Sequence, residues 1–215
     1  MSEPQPTVAR GKVFVVDDDP MVGRALSRLL ALAGFDVETC LSAAEFLARP
    51  PHNGPACIVL DQKMPGMTGL ELQAALDARR VQDGLLVIFL TGHGDIRMSV
   101  DAMKAGAFDF LSKPVDERPL VDTVQRALDE SARLRSRGRE RFDFMARWRA
   151  LSVRQREVCA LVLRGRLNKE IAFELGIAEK TVKIHRAQAM AKLGVRSVAE
   201  LARMAERSGA LGPPA

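Results

Sequence analysis

No uninterrupted apolar run in the 215 residues approaches the roughly 18 that a membrane-spanning helix needs. The start, Met1-Ser-Glu-Pro-Gln-Pro, has none of the apolar segment of a secretory signal. Both absences set the expectation of a cytoplasmic protein with no membrane partner. Cysteine is scarce as well. Cys40, Cys57 and Cys159 are odd in number and lack the paired spacing of a metal site, so they read as buried or incidental thiols in a reducing compartment. There is no Gly-x-x-x-x-Gly-Lys-Ser/Thr loop, which argues against a P-loop ATPase. Acidic residues thin out towards the end of the chain. Residues 1–126 carry 13 Lys+Arg against 17 Asp+Glu, whereas residues 127–215 carry 19 against 10, so the net +5 divides into −4 and +9. Only the second half is suited to meet a polyanion.

The length suits two domains, each with enough apolar residues for a core. In the first half, apolar runs recur at Val13 to Val16, weakly around Val37, at Cys57 to Leu60, Leu85 to Leu90 and Phe108 to Leu111. Segments of helical spacing separate them, which predicts five alternating β and α units and a parallel sheet with helices on its faces. Ser42-Ala-Ala-Glu45 and Thr68-Gly-Leu-Glu71 fit helix-starting capping boxes, Asp95 suits a further cap, and Gly34 and Gly106 suit helix ends. Pro119 fits the first turn of a last helix whose inward stripe is Leu120, Val124, Ala127 and Leu128.

An open parallel sheet binds ligands beyond the carboxyl ends of its strands, so the residues that follow the runs are the informative ones. They are Asp17 and Asp18, then Asp61, Thr91 and Lys113. Three carboxylates in one pocket repel each other unless a cation joins them, and an all-oxygen set favours a hard ion such as Mg2+. Lys113 and Thr91 can then bind phosphoryl oxygens. Each residue alone has a plainer reading. Asp17 to Asp19 can cap the helix starting near Pro20, Thr91-Gly92 can be a turn, Lys113-Pro114 a solvated loop, Phe110 a core residue and His93 a loop residue.

Together these residues resemble the receiver domain of bacterial two-component response regulators. The resemblance rests on Val16-Asp17-Asp18-Asp19-Pro20, Leu60-Asp61 with Met64-Pro65-Gly66, Leu90-Thr91-Gly92 and Phe110-Leu-Ser-Lys113-Pro114. The stretch from Thr91 to Gly106 is similar to regulators of the FixJ type. The resemblance implies a doubly wound, flavodoxin-like domain over about residues 8–126. By the same resemblance Asp61 takes a phosphoryl group from a cognate sensor histidine kinase. Mg2+ is then held by Asp18, Asp61 and the Lys63 main-chain carbonyl, with Asp17 joining through water. Thr91 and Lys113 bind phosphoryl oxygens, Phe110 occupies an aromatic switch position, and the bond before Pro114 is cis.

Residues 127–144 form a basic connection in which arginine fills every second place from Arg133 to Arg141. It reads as a partly helical linker: a solvated face, a helix that pairs with a second copy, or a basic arm near DNA. Gly138 argues against one unbroken helix.

In the second half, Ser152 to Gln155 is a capping box, Gly165 a stop, Asn168 a candidate cap for a helix running to Leu175, and Gly176-Ile177 a tight turn before a helix from Glu179 to Leu193. Two short helices around a glycine turn, the second basic, predict a helix-turn-helix; an amphipathic helix in a bundle is the plainer alternative. Lys180, Lys183, Ile184 and Ala187 share one face by their spacing, while Val182, Met190 and Leu193 face inward.

Leu151-Ser-x-Arg154-x-x-Glu157-Val158, Gly165, Asn168-Lys169-x-Ile171-Ala172, Leu175-Gly-Ile177, Thr181-Val-Lys183-x-His185 and Lys192-Leu193 resemble the LuxR/FixJ-type DNA-binding domain. This all-α domain is expected over about residues 145–209. The resemblance implies double-stranded promoter DNA in the major groove as partner. Lys183, Ile184 and Ala187 would face bases, Asn168, Lys169, Thr181 and His185 phosphates, with Lys180 and Arg186 also on the DNA-binding set. Ser197 to Glu200 caps a last helix that often supports dimerisation in the family. Ala178 departs from the usual capping Ser, and Ala187 offers no hydrogen bond where some relatives have Lys.

The expected function is therefore a phosphorylation-controlled transcriptional regulator, not an enzyme, that forms a homodimer when phosphorylated and has RNA polymerase as a further partner. The rival is an aspartate-nucleophile hydrolase of the haloacid dehalogenase type, because Asp17-Asp18-Asp19 contains an Asp-x-Asp. Met21 stands where that class has Thr or Val, and a hydrolase has no use for the basic helices. A third reading keeps DNA binding without phosphate control.

Overall fold

Alternation of apolar runs with helical segments becomes a five-stranded parallel sheet. The computed structural model describes residues 11–78, 84–92 and 106–210, and everything below refers to these. The strands are β1 (Lys12–Val16), β2 (Asp36–Cys40), β3 (Ala56–Asp61), β4 (Leu85–Thr91) and β5 (Asp109–Ser112), in the order β2-β1-β3-β4-β5. β3 is buried at every position because it lies near the middle of the sheet with layers on both faces, which is why its sequence runs apolar instead of alternating. Register pairs Val16 with Leu60, Asp61 with Leu90, and Thr91 with Ser112, so the ends of β1, β3, β4 and β5 lie side by side.

One face of the sheet packs Phe14, Ile58, Leu60 and Phe89 with Phe46, Leu72 and Leu76 from α2 (Ala43–Ala48) and α3 (Gly69–Ala78). The other packs Val13, Val15, Val59 and Ile88 with Leu26 and Leu30 of α1 (Pro20–Leu32) and the expected stripe Leu120, Val124, Ala127 and Leu128. Both layers are apolar, the first with three phenylalanines among its aliphatic residues and the second mostly aliphatic, and burial of such surface is the main source of stability for a fold of this kind. Helix starts follow the predicted chemistry. Ser42 Oγ accepts from Glu45 N–H at 3.1 Å, and Thr68 and Glu71 exchange bonds of 2.8 to 3.3 Å. The Asp95 cap and the His93 loop reading fall outside the described residues.

The last helix of the first unit is longer than its sequence suggested. α4 runs unbroken from Glu117 to Arg149, through the arginine-rich stretch and through Gly138. The expected break does not occur: one glycine costs a helix interior only about 1 kcal/mol, less than the surrounding turns supply. Ser131 on α4 is fully buried; its Oγ accepts from the Ala56 N–H at 2.9 Å and donates to the Gly84 carbonyl, so it ties the helix to the starts of β3 and β4. The chain divides into two compact units, residues 1–136 and 137–215.

The second unit is all helical: the end of α4, then α5 (Val153–Leu163), α6 (Asn168–Leu175), α7 (Glu179–Leu193) and α8 (Val198–Ser208). Its core has two parts, one around Phe144, Trp148, Ala189, Leu193 and Leu201, the other around Val158, Val162, Ile171 and Val182. Among the described residues no helix is long and apolar enough to cross a membrane.

Candidate functional site

At the carboxyl end of the sheet the strand-end residues converge. Asp17 follows β1, 1% exposed, and Asp61 ends β3 at 8% exposed. Lys113 follows β5, and its Nζ lies 2.8 Å from Asp17 Oδ2 and 2.9 Å from Asp61 Oδ1. Carboxylate oxygens of Asp17, Asp18 and Asp61 lie within 4.8 Å of one another, and the exposed Asp18 leaves the cluster open to solvent. The Lys113-Pro114 bond is cis, as the resemblance implied.

The neighbouring Asp19 takes the plainer role. Its Oδ1 accepts from Met21 N–H at 2.7 Å and caps α1, while Asp19 N–H itself donates to Asp17 Oδ1 at 2.9 Å. One run of three aspartates thus divides into two pocket carboxylates and one cap. Gly69, at the start of α3, is equally constrained. A side chain there would press to 2.7 Å from the Asp61 carbonyl oxygen and 2.8 Å from Phe89, so only glycine lets the helix approach the back of Asp61.

The pocket is electrostatically tense. Burial pushes the Asp61 carboxyl up, Lys113 pulls it part of the way back, and Asp17 and Asp18 push it up again, leaving it above the ordinary aspartate value. Burial also opposes the Lys113 charge, but the hydrogen bonds and charges of Asp17 and Asp61 outweigh it and hold that pKa above an ordinary lysine's. An added cation would relieve the carboxylates, and an all-oxygen donor set fits a hard divalent ion.

Thr91 is buried at the end of β4, and its carbonyl accepts from Lys113 N–H at 2.7 Å. Lys63 lies in the exposed turn two residues beyond Asp61. Phe110 is 41% exposed on the edge strand β5, so the reading of it as a core residue is corrected: the core on that strand is served by its neighbour Leu111.

The second unit presents α7 as predicted. Val182 and Leu193 are buried and Met190 half-buried, while Lys180, Lys183, Ile184 and Ala187 are exposed. Lys183 Nζ pairs with Glu179 Oε1 at 2.9 Å on the same helix. Thr181, His185 and Arg186 are half-buried along its flank. Gly176, in the left-handed region at φ 64°, ends α6, and Ile177 N–H donates to the Ala172 carbonyl at 3.0 Å, which closes the turn between the two helices.

The Asn168 cap is corrected. Leu167 holds the extended backbone of the cap position, its N–H donating to Glu170 at 2.8 Å, so Asn168 is already the first helical residue. This frees the Asn168 side chain, whose Oδ1 accepts from Arg186 Nη1 at 3.3 Å. Ala178 begins α7 with no side-chain cap, as its identity requires.

Gln155 was legible only as half of a capping box, which is present. It is buried, and its amide also reaches α7: Oε1 accepts from Lys192 Nζ at 3.0 Å and Nε2 donates to Gln188 Oε1 at 3.2 Å. Arg147 adds a second tie, donating to the Leu193 carbonyl at 3.1 Å. Spacing alone carries no signal for such contacts between helices.

Comparison with known proteins matches both units. Residues 13–125 match the family described as response regulator receiver domain, and residues 149–205 the family of bacterial regulatory proteins, luxR family. The chain is 42% identical to nodulation protein W of Bradyrhizobium diazoefficiens over 92% of its own length and 86% of the relative. It is 39% identical to the transcriptional regulatory protein FixJ of Rhizobium meliloti, covering 94% of this chain and 97% of FixJ. Among solved structures it is similar to the response regulator StyR, with a TM-score of 0.79 and 46% identity over 93% of this chain and all (100%) of that one.

Proposed function

The chain belongs to the two-component response regulators that join a receiver domain to a DNA-binding domain of the luxR family, and from that premise we propose how its residues divide the work. It is a transcriptional regulator: the receiver implies a histidine kinase as partner and the second domain implies DNA.

Asp61 is the phosphoacceptor. One carboxylate oxygen attacks phosphorus, the bond between phosphorus and the kinase histidine breaks as an acyl phosphate forms, and the departing imidazole takes up a proton. The observation that carries this is the meeting of Asp17, Asp18 and Asp61 within 4.8 Å with Lys113 bonded to two of them. Asp17, Asp18, Asp61 and the Lys63 main-chain carbonyl would hold Mg2+, which when bound supplies positive charge to the phosphoryl oxygens. Lys113 then shifts its hydrogen bond from Asp61 to a phosphoryl oxygen, and the Thr91 hydroxyl donates to another. Transfer ends on the protein, so the chain is not a turnover enzyme.

Phosphorylation moves the edge-strand face that carries Phe110, and two chains pair. On a roughly two-fold-symmetric site in promoter DNA, the dimer raises affinity through effective concentration without adding a contact to either half. Lys183, Ile184 and Ala187 face base edges in the major groove with Lys180 beside them. Asn168, Lys169, Thr181, His185 and Arg186 serve the phosphate side. RNA polymerase is a further partner, and the cytoplasm, where kinase and promoter are both reached, is the place of action.

The test compares wild type with Asp61→Asn after incubation with acetyl phosphate and Mg2+, reading sedimentation and retention of a random duplex pool. Wild type is expected to dimerise and retain more DNA, and the variant to do neither. DNA retention indifferent to acetyl phosphate identifies an unswitched regulator, and multiple turnovers of a phosphate ester identify a hydrolase.

A further inference from the structure

At four helix starts a first-turn glutamate folds back to accept from a main-chain N–H just outside the helix. Glu45 accepts from Leu41 at 2.6 Å, Glu71 from Thr68 at 2.8 Å, Glu170 from Leu167 at 2.8 Å and Glu200 from Arg196 at 2.8 Å. Each stands three residues beyond the cap, the position from which a carboxylate reaches back. Glu179 of α7 stands directly after the cap residue Ala178 and serves otherwise. Its Oε1 lies 2.9 Å from Lys183 Nζ, one turn along the helix, with the two side chains 48% and 62% exposed.

A solvent-exposed pair of this kind adds little to the stability of a helix. On a surface that meets DNA, a carboxylate also repels phosphates and so weakens binding to every sequence alike. An acid on that face raises specificity only if it gains more at one base pair than it loses on the backbone. Glu179 and Lys183 lie in the first turns of α7, beside the exposed Lys180, and this end of such a helix comes nearest to base edges.

We propose that Glu179 and Lys183 read one G·C base pair as a unit, Lys183 donating to guanine O6 and N7 and Glu179 accepting from the cytosine N4 amino group. This rests on the reading of α7 as the helix that enters the major groove, and it adds Glu179 to the residues that read bases. The spacing matches. Donor and acceptor are 2.9 Å apart in the protein. Guanine O6 and cytosine N4 share a Watson–Crick N–H···O bond and are therefore about 2.9 Å apart as well. The order of groups matches too. Along the major-groove edge of a G·C pair two acceptors, N7 and O6, precede one donor, whereas an A·T pair runs acceptor, donor, acceptor, methyl. An ammonium can serve both guanine acceptors while the carboxylate takes the N4 hydrogen that pairing leaves over. Thymine O4 would offer it a single acceptor beside a methyl group.

The full chain, treated with acetyl phosphate and Mg2+, selects duplexes from a random pool, and the retained sites are sequenced. Lys183→Met identifies the base pair that Lys183 reads as the one at which selectivity disappears. There the wild type is expected to favour G·C over A·T by about tenfold or more. Glu179→Ala should cut that preference by about threefold or more while retaining more of the unselected pool. Glu179→Gln, which keeps an acceptor oxygen, should hold more of the preference than Glu179→Ala. Both side chains are exposed, so none of these changes disturbs the core. A G·C preference unchanged in Glu179→Ala, a loss of retention equal on all sequences, or a Lys183→Met position that is absent or not G·C would each overturn the proposal. Wild type that retains no duplex at all would overturn the DNA-binding reading and this inference with it.

Discussion

Asp61 is in conflict with its surroundings until a cation arrives. Its carboxyl, raised above the ordinary 3.8, binds its proton more tightly in the folded chain than in the unfolded one. Stability is therefore lost as pH rises from that ordinary value through the raised one, and the loss persists at neutral pH. Asp61→Asn should raise the thermal midpoint of the Mg2+-free protein at pH 7, with the gain disappearing in acid below the ordinary value. A lower midpoint at pH 7 would show that the Lys113 pairing outweighs desolvation. Added Mg2+ should stabilise wild type and not the variant. Gln155 makes a different case. Gln155→Met keeps the volume but leaves Gln188 and Lys192 without their partner, so the second domain should lose about 1 to 2 kcal/mol in urea unfolding. DNA affinity should fall further than that stability loss explains, because α7 is no longer anchored at its carboxyl half. Unchanged affinity in a folded variant would reduce Gln155 to a cap. Sequence chemistry could name the residue types in both places. It placed Asp17 and Asp18 at the pocket but left open that the whole run caps α1, and only the structure divides the roles, with Asp19 alone as the cap.

Elements defined by local pattern were the most legible. All five strands fall where apolar runs predicted them, and the caps at Ser42, Thr68, Ser152 and Ser197 form as their spacing requires, although Glu45 and Glu200 accept from the N–H of Leu41 and Arg196, one residue before the cap. The rest needed tertiary knowledge. Asn168 reads as a cap until Leu167 is seen to hold the extended backbone, and Gly138 reads as a break until α4 is seen to continue. A side chain at 138 would meet nothing within 4 Å, so Gly138→Ala should stabilise the chain by about 0.5 to 1 kcal/mol, and destabilisation would contradict a continuous helix. Ser131→Ala should act in the opposite direction. It leaves the Ala56 N–H and the Gly84 carbonyl without their shared partner and should cost about 1 to 3 kcal/mol, read as a lower urea midpoint with an unchanged slope.

For the molecule as a whole, uneven charge said earliest what the two units do. The acidic first half folds into the domain that gathers carboxylates, and the basic second half into the one that carries Lys180, Lys183 and Lys169 on an exposed surface. What links the units, the unbroken α4, was the least legible part, because a surface helix rich in arginine and a solvated linker share one composition. The central claim is that the strand-end cluster accepts one phosphoryl group on Asp61. Intact-mass measurement after exposure to acetyl phosphate and Mg2+ tests it most directly. Wild type should gain a single phosphoryl group that hydroxylamine removes, as an acyl phosphate requires, and Asp61→Asn should gain none; an adduct retained by Asp61→Asn, or none on folded wild type, would contradict it.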